Sequence, residues 1–77
     1  MIIKPLSAEY AATNAAIAAA RVVRLVNTGA TEKITIAGSV SSELTILTNT
    51  SIVIEKEVGA AIAATGSVLA TIVAFTN

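Results

Sequence analysis

Apolar and polar residues alternate with period two along most of the second half of the chain. The clearest run is Leu44–Glu57, LTILTNTSIVIEKE, where Leu44 and Ile46 flank Thr45, and Ile52 and Ile54 are set off by Ser51, Val53 and Glu55. β-Branched residues at this period predict strands with one apolar face. Between the two halves lies Thr48-Asn49-Thr50, whose side chains favour turns by bonding their own backbone. The pattern predicts an antiparallel hairpin pairing Leu44–Leu47 with Ile52–Glu57, with Ile46 and Ile52 as neighbours across it. Glu32–Ala37, EKITIA, reads the same way, with Ile34 and Ile36 inward and Thr35 outward. In Arg21–Asn27, RVVRLVN, Val23 and Leu25 share one face while Val22, Arg24 and Val26 share the other. The last run, Val68–Phe75, VLATIVAF, is apolar on both faces. Such a strand is covered on both sides, by its own core or by a neighbouring subunit.

The remaining segments are connections. Thr28–Thr31 predicts a turn, with Gly29 able to take positive φ. Gly38–Glu43 reads as a loop of small polar residues. Val58-Gly59 ends the hairpin, and the small residues from Ala60 to Ser67 form a second link. Ile2 and Ile3 start a short strand that Pro5 confines to an edge or an arm, because proline cannot donate to a ladder. Residues 7–20, SAEYAATNAAIAAA, are ambiguous. Alanine favours helix and Ser7 could cap one, yet Tyr10 and Ile17 are the only large apolar anchors and Thr13-Asn14 interrupts. An extended or looped conformation is favoured over a helix there. The expected fold is all-β, a small antiparallel sandwich or barrel of about five or six short strands. Residues 1–77 form a single domain, of which 1–20 could be an N-terminal arm.

Composition narrows what such a domain can do. At 77 residues the core is thin, and domains of this size lean on disulfides, metals or association. There is no Cys and no His, so association is the device left. Only 13% of residues are charged, against about 25% in an average globular domain, so part of the apolar surface is expected to face other protein. The net charge is zero and the aromatics are Tyr10 and Phe75 alone, which argues against nucleic acid as a partner. No segment is long and apolar enough for a signal peptide or a membrane span, so a soluble, unprocessed protein is expected.

Candidate chemistry is sparse. The chain also lacks Asp, so five Glu are the whole stock of acids. Glu55 and Glu57 could share a strand face as a carboxylate pair, but the EKE run reads more simply as a charged strand end that discourages edge pairing. Ser39, Ser41 and Ser42 have no histidine to activate them, and the glycines make no phosphate loop. Arg21 and Arg24 are expected to be exposed; the alternative is that one is buried in an ion pair at an interface, with Glu43 or Glu55 as candidate partners. No cofactor, metal or catalytic residue is expected, and an enzyme is not.

Three passages, VVRLVNTGATEKITI, SIVIEKE and VLATIVAF, together resemble small virion structural proteins of tailed phages, especially those of marine and cyanobacterial hosts. The motifs are Arg24-Leu25-Val26-Asn27-Thr28, Ile54-Glu55-Lys56 and Ala70-Thr71-Ile72-Val73-Ala74, and the likeness spans roughly two-thirds of the chain. It implies a repeated copy on a phage particle, decorating or cementing the capsid through contacts with itself or the major capsid protein. A neck, tail or fibre-base component is the alternative within that class, and a stand-alone ligand- or glycan-binding module is the alternative outside it. Leu69, Ile72, Val73 and Phe75 of the final strand are the expected interface, with the choice between its two faces open.

Overall fold

β-Branched runs become strands, and small polar clusters become the crossings between them. The computed structural model describes residues 2–76. Its elements are β1 (Ile2–Pro5), β2 (Tyr10–Ala11), α1 (Ala15–Ala18), β3 (Val22–Asn27), β4 (Glu32–Ala37), β5 (Ser41–Ile46), β6 (Ser51–Glu55), β7 (Ala61–Ala63) and β8 (Val68–Thr76). They form two antiparallel sheets. The larger has the order β1-β8-β3-β6, with β2 pairing the first part of β8 on the edge that β1 continues. The smaller has the order β5-β4-β7. The all-β class and the sandwich-like layering are as expected.

The core lies between the sheets. Val23, Leu25, Val68 and Ala70 come from the larger, and Ile34, Ile36, Ile46 and Ile62 from the smaller. Ile52 and Ile54 pack against this cluster from the edge strand β6. Ile34, Ile36, Ile46, Ile52 and Ile54 thus meet in one core, although from both layers. Ile17, fully buried on the single turn of α1, plugs one end.

The predicted hairpin is not there. β5 pairs with β4 (Glu32↔Ile46 to Ala37↔Ser41), and β6 pairs with β3 (Val22↔Glu55 to Val26↔Ser51). Leu47–Thr50 is instead a corner that carries the chain from one sheet to the other. Its turn chemistry is as read: Thr50 N–H donates to the Leu47 carbonyl, and Asn49 sits at φ 58°. Alternation assigns a face to a strand but names no partner, and a turn closes a corner as readily as a hairpin. β4 and β5, joined by the three-residue loop 38–40, make the real hairpin. Ser41–Glu43, read as loop, therefore belong to β5, and the small-residue link hides β7, whose Ile62 is buried.

The corner is built around Asn27, a fully buried polar side chain. Its amide donates to the Ala30 and Ile46 carbonyls at 2.8 and 3.1 Å, and its Oδ1 accepts the Gly29 N–H at 2.9 Å. Its backbone bonds Thr50 and Asn49. One residue thus closes both crossings at this end of the sandwich. Gly29 does not take a positive φ, as Gly59 does at 91°. What glycine supplies at position 29 is room, since a Cβ there would lie 2.5 Å from Ser67 Oγ.

Residues 7–20 are mixed. Ser7 caps no helix; its hydroxyl accepts the Ile72 N–H at 3.0 Å and bridges the gap between β1 and β2. Asn14, read as a break, is the N-cap of α1, its Oδ1 accepting from Ala16 N–H.

Candidate functional site

β8 is the strand on which the two faces of the larger sheet are decided. Val68, Ala70 and Ile72 pair with Asn27, Leu25 and Val23 and face the core. Leu69, Thr71, Val73 and Phe75 alternate with them and lie on the outer face. There they join Val22, Arg24 and Val26 of β3, Val53 of β6 and Ile3 of β1. The expected interface residues are therefore divided. Leu69 is half-buried and Phe75 is 48% exposed, both on the outer face. Val73 shares that face but is only 4% exposed, so the subunit itself already covers it. Ile72 points the other way and packs against the core.

The outer face of the smaller sheet is different in kind. It carries Lys33, Thr35, Glu43, Thr45 and small residues, with Lys33 Nζ 3.4 Å from Glu43 Oε2. One layer thus presents a polar surface and the other a mainly aliphatic one. Among the described elements α1 sits against β7 and β8 at one end of the core, and the aliphatic side chains Val22, Val26, Val53 and Leu69 of the outer face stay half-buried. The total accessible surface, 4401 Å², matches the roughly 4,300 Å² expected of a compact chain of this mass. The distribution of apolar groups, rather than their amount, singles out this face.

Charges sharpen the picture. Arg21 Nε bonds Glu55 Oε2 at 3.1 Å across two exposed side chains. Glu57 accepts from the Ser39 N–H at 2.8 Å and from its hydroxyl, which pins the tip of the β4–β5 hairpin. These bonds, the hydroxyl's first, hold the Glu57 carboxyl below its ordinary value. Glu32 likewise accepts from the Thr65 N–H, at 3.0 Å, and from the Thr65 hydroxyl. Glu55 and Glu57 therefore have separate structural duties and do not act as a pair. Lys56 is buried, and its ammonium donates to the carbonyls of Ala18 and Ala20 at 2.8 and 2.5 Å, where the chain leaves α1. Burial lowers its pKa. Lys4, Glu9 and Arg24 are left without a side-chain partner among the described residues. Of these only Arg24 is set among aliphatic neighbours, half-buried between Val53 and Thr71.

A shallow, open depression is lined by Arg21, Glu55, Lys56, Glu57 and Val58, and both its acids are already engaged. No group of three His, Cys, Asp or Glu gathers among the described residues, and no helix there is long and apolar enough to cross a membrane. Val22, Arg24 and Val26 were legible as sharing one face of their strand, and Val53 as alternating with Ile52 and Ile54, but not as neighbours on one outer face. For the three on β3 the signal is that this strand, like β8, carries apolar residues on both faces. Compared with protein-family models, curated proteins and solved structures, the chain matches none.

Proposed function

We propose that this protein is a structural subunit of a larger assembly, held there by the outer face of its larger sheet, and that the assembly is the virion of a tailed phage. The observation that carries the first part is the inequality of the two outer faces. A sandwich working alone in water leaves Val22, Val26, Val53 and Leu69 half-buried and Phe75 exposed on this face, whereas a subunit completes their burial against its neighbour. Each large aliphatic or aromatic side chain so buried contributes about 1.5–3 kcal/mol. The virion rests on the resemblance of the strand motifs around Arg24–Thr28, Ile54–Lys56 and Ala70–Ala74. The capsid surface, with the major capsid protein as partner, is the location we favour.

The subunit does its work without catalysis. It has no His, Cys or Asp, and its acids at 32, 43, 55 and 57 are committed to structural contacts. A glycan-binding module would want aromatic rings on its surface. Tyr10 packs against the core instead, which leaves Phe75 alone. The test is the copy number of the chain in purified particles, by quantitative mass spectrometry, with binding of the purified protein to capsids stripped of it. Many copies, one for most lattice positions, and saturable binding are expected. A small ring's complement would move the protein to the neck or tail, and absence from the particle would refute the virion.

A further inference from the structure

Strand β6 borders the larger sheet and pairs with β3 alone among the described residues. The Lys56 N–H donates to the Arg21 carbonyl at 2.7 Å, and the Asn27 N–H to the Thr50 carbonyl at 3.0 Å. Antiparallel pairs alternate between bonded and unbonded, so the bonded pairs between these two are Val23 with Ile54 and Leu25 with Ile52. Ser51, Val53 and Glu55 therefore turn their N–H and C=O groups away from β3, to the open side of the sheet. Charge, proline and shortness are the usual guards against strand addition, and the other borders have them. β1 carries Lys4 and Pro5, β7 is 3 residues long, and β5 holds Glu43 within it. Of the charged run Glu55–Glu57, Lys56 turns into the core and Glu57 holds Ser39, which leaves β6 one charge at its last position. Its register with β3 runs unbroken from Val22↔Glu55 to Val26↔Ser51, so no bulge twists the edge away.

We infer that β6 adds to β6 of a second copy, antiparallel, about a two-fold axis that passes through Val53 perpendicular to the sheet. The free backbone groups lie at 51, 53 and 55, a set symmetrical about Val53. The register centred there pairs all of them, Val53 with its own image and Ser51 with Glu55 of the second copy. Moving the axis to Glu55 sets like charges opposite each other. Moving it to Ser51 runs the strand into the corner, where Asn49 sits at φ 58°. On the core side Ile52 comes opposite Ile54 of the second copy, and both are half-buried side chains that gain cover. The edge is thus complementary to itself, as a two-fold contact requires, and the occupant is a second copy. This axis also keeps both outer faces on the same side, so the proposed docking face runs on across the junction. The inference rests on the proposed function for that last point only. A strand of 5 residues buries far less than the ~800 Å² per partner of a stable complex. The junction is therefore transient between free subunits and persists between copies held side by side on a common surface, where effective concentration is high.

The chain has no Cys, so introduced cysteines report the junction by forming a disulfide under mild oxidation. Bonded antiparallel pairs stand ~5.5 Å apart at Cα, within the ~4.4–6.8 Å that a disulfide spans. Val53→Cys should cross-link to itself about tenfold faster, or more, than Val40→Cys, a control at a side chain 79% exposed. Ser51→Cys mixed with Glu55→Cys should give the mixed disulfide in preference to either self-pair, because like positions stand about 14 Å apart along the strands. Adding Glu55→Pro to Val53→Cys removes an N–H that faces away from β3, and should slow cross-linking by about tenfold. Circular dichroism checks that each variant keeps its strands, and the mixing arm decides if the proline unfolds the chain. Val53→Cys no faster than Val40→Cys, or mixed disulfides in statistical proportion, would overturn the self-pairing, whether the edge stays bare or takes a strand of another protein. That failure beside a Leu69→Asp variant that no longer associates would leave the docking face standing. Cross-linking that persists when Leu69→Asp is added to Val53→Cys would support the junction independently of that face.

Discussion

Replacing Asn27 tests whether one buried amide holds the two crossings together. The side chain makes three hydrogen bonds, two as donor and one as acceptor, and is wholly inaccessible. Asn27→Ala removes all three and leaves the Ile46 carbonyl buried without this donor. At a net ~0.5–1.5 kcal/mol per bond the loss is about 2–4 kcal/mol. A chain of this length has about 4–12 kcal/mol in total, so the variant should forfeit at least about a sixth of its stability and, at the low end of that range, all of it. The melting point should fall by roughly 10–25 °C. Asn27→Asp is nearly isosteric, yet it sets an oxygen where the amide donated to two carbonyls and buries a charge. It should therefore be worse than alanine at neutral pH. Its carboxyl pKa would be raised in the folded state, so the folded form binds more protons and stability recovers as pH falls. Urea denaturation followed by circular dichroism, at neutral and mildly acidic pH, measures both effects. An alanine variant within about 1 kcal/mol of wild type, or an aspartate variant no worse than alanine at neutral pH, would refute the reasoning.

Two further outcomes follow from the packing and the charges. Ile46→Ala, at a side chain 1% exposed, should cost about 2–5 kcal/mol, whereas Thr45→Ala, exposed on the outer face of the smaller sheet, should cost less than about 0.5; equal costs in chemical denaturation would mean the faces are misassigned. Glu57 has a lowered pKa, so its contribution is present above the ordinary glutamate range and is lost as pH falls through the lowered value. Ser39→Ala, which removes the larger cause of that shift, should flatten the acid limb of the stability–pH curve, and an unchanged limb would show that the bond carries no linkage.

Which parts of the fold were legible depended on the range of the interaction that decides them. Faces are local: alternation placed Ile34 and Ile36 inside and Thr35 outside and set Val23 and Leu25 on one common face, which the structure shows to be the buried one. Partners are not local. Nothing within Leu44–Glu57 reveals that β5 belongs to β4 and β6 to β3, because that choice is made by the short 38–40 loop and by Asn27, a residue outside the segment. Two strands escaped for lack of side chain. Tyr10–Ala11 and Ala61–Ala63 are held by pairing to β8 and β4 rather than by propensity. The buried Lys56 was equally invisible, since what makes it fit is a set of carbonyls some 36 residues earlier. The proposed docking face was half legible. Both-sided apolarity pointed to β8, but the same sign on β3 became meaningful only once the two strands stood side by side.

The central claim is that the larger sheet, and not the smaller, presents its outer face to another protein subunit. Leu69→Asp and Thr45→Asp test it as a pair, one substitution on each outer face, both at positions the fold does not fully bury. Sedimentation and melting of wild type and both variants are measured over about a hundredfold range of concentration, since association makes apparent stability depend on concentration. Wild type and Thr45→Asp should associate and melt higher as concentration rises, while Leu69→Asp should remain a folded monomer whose melting point does not move. Association that survives Leu69→Asp and fails in Thr45→Asp would contradict the assignment of the face.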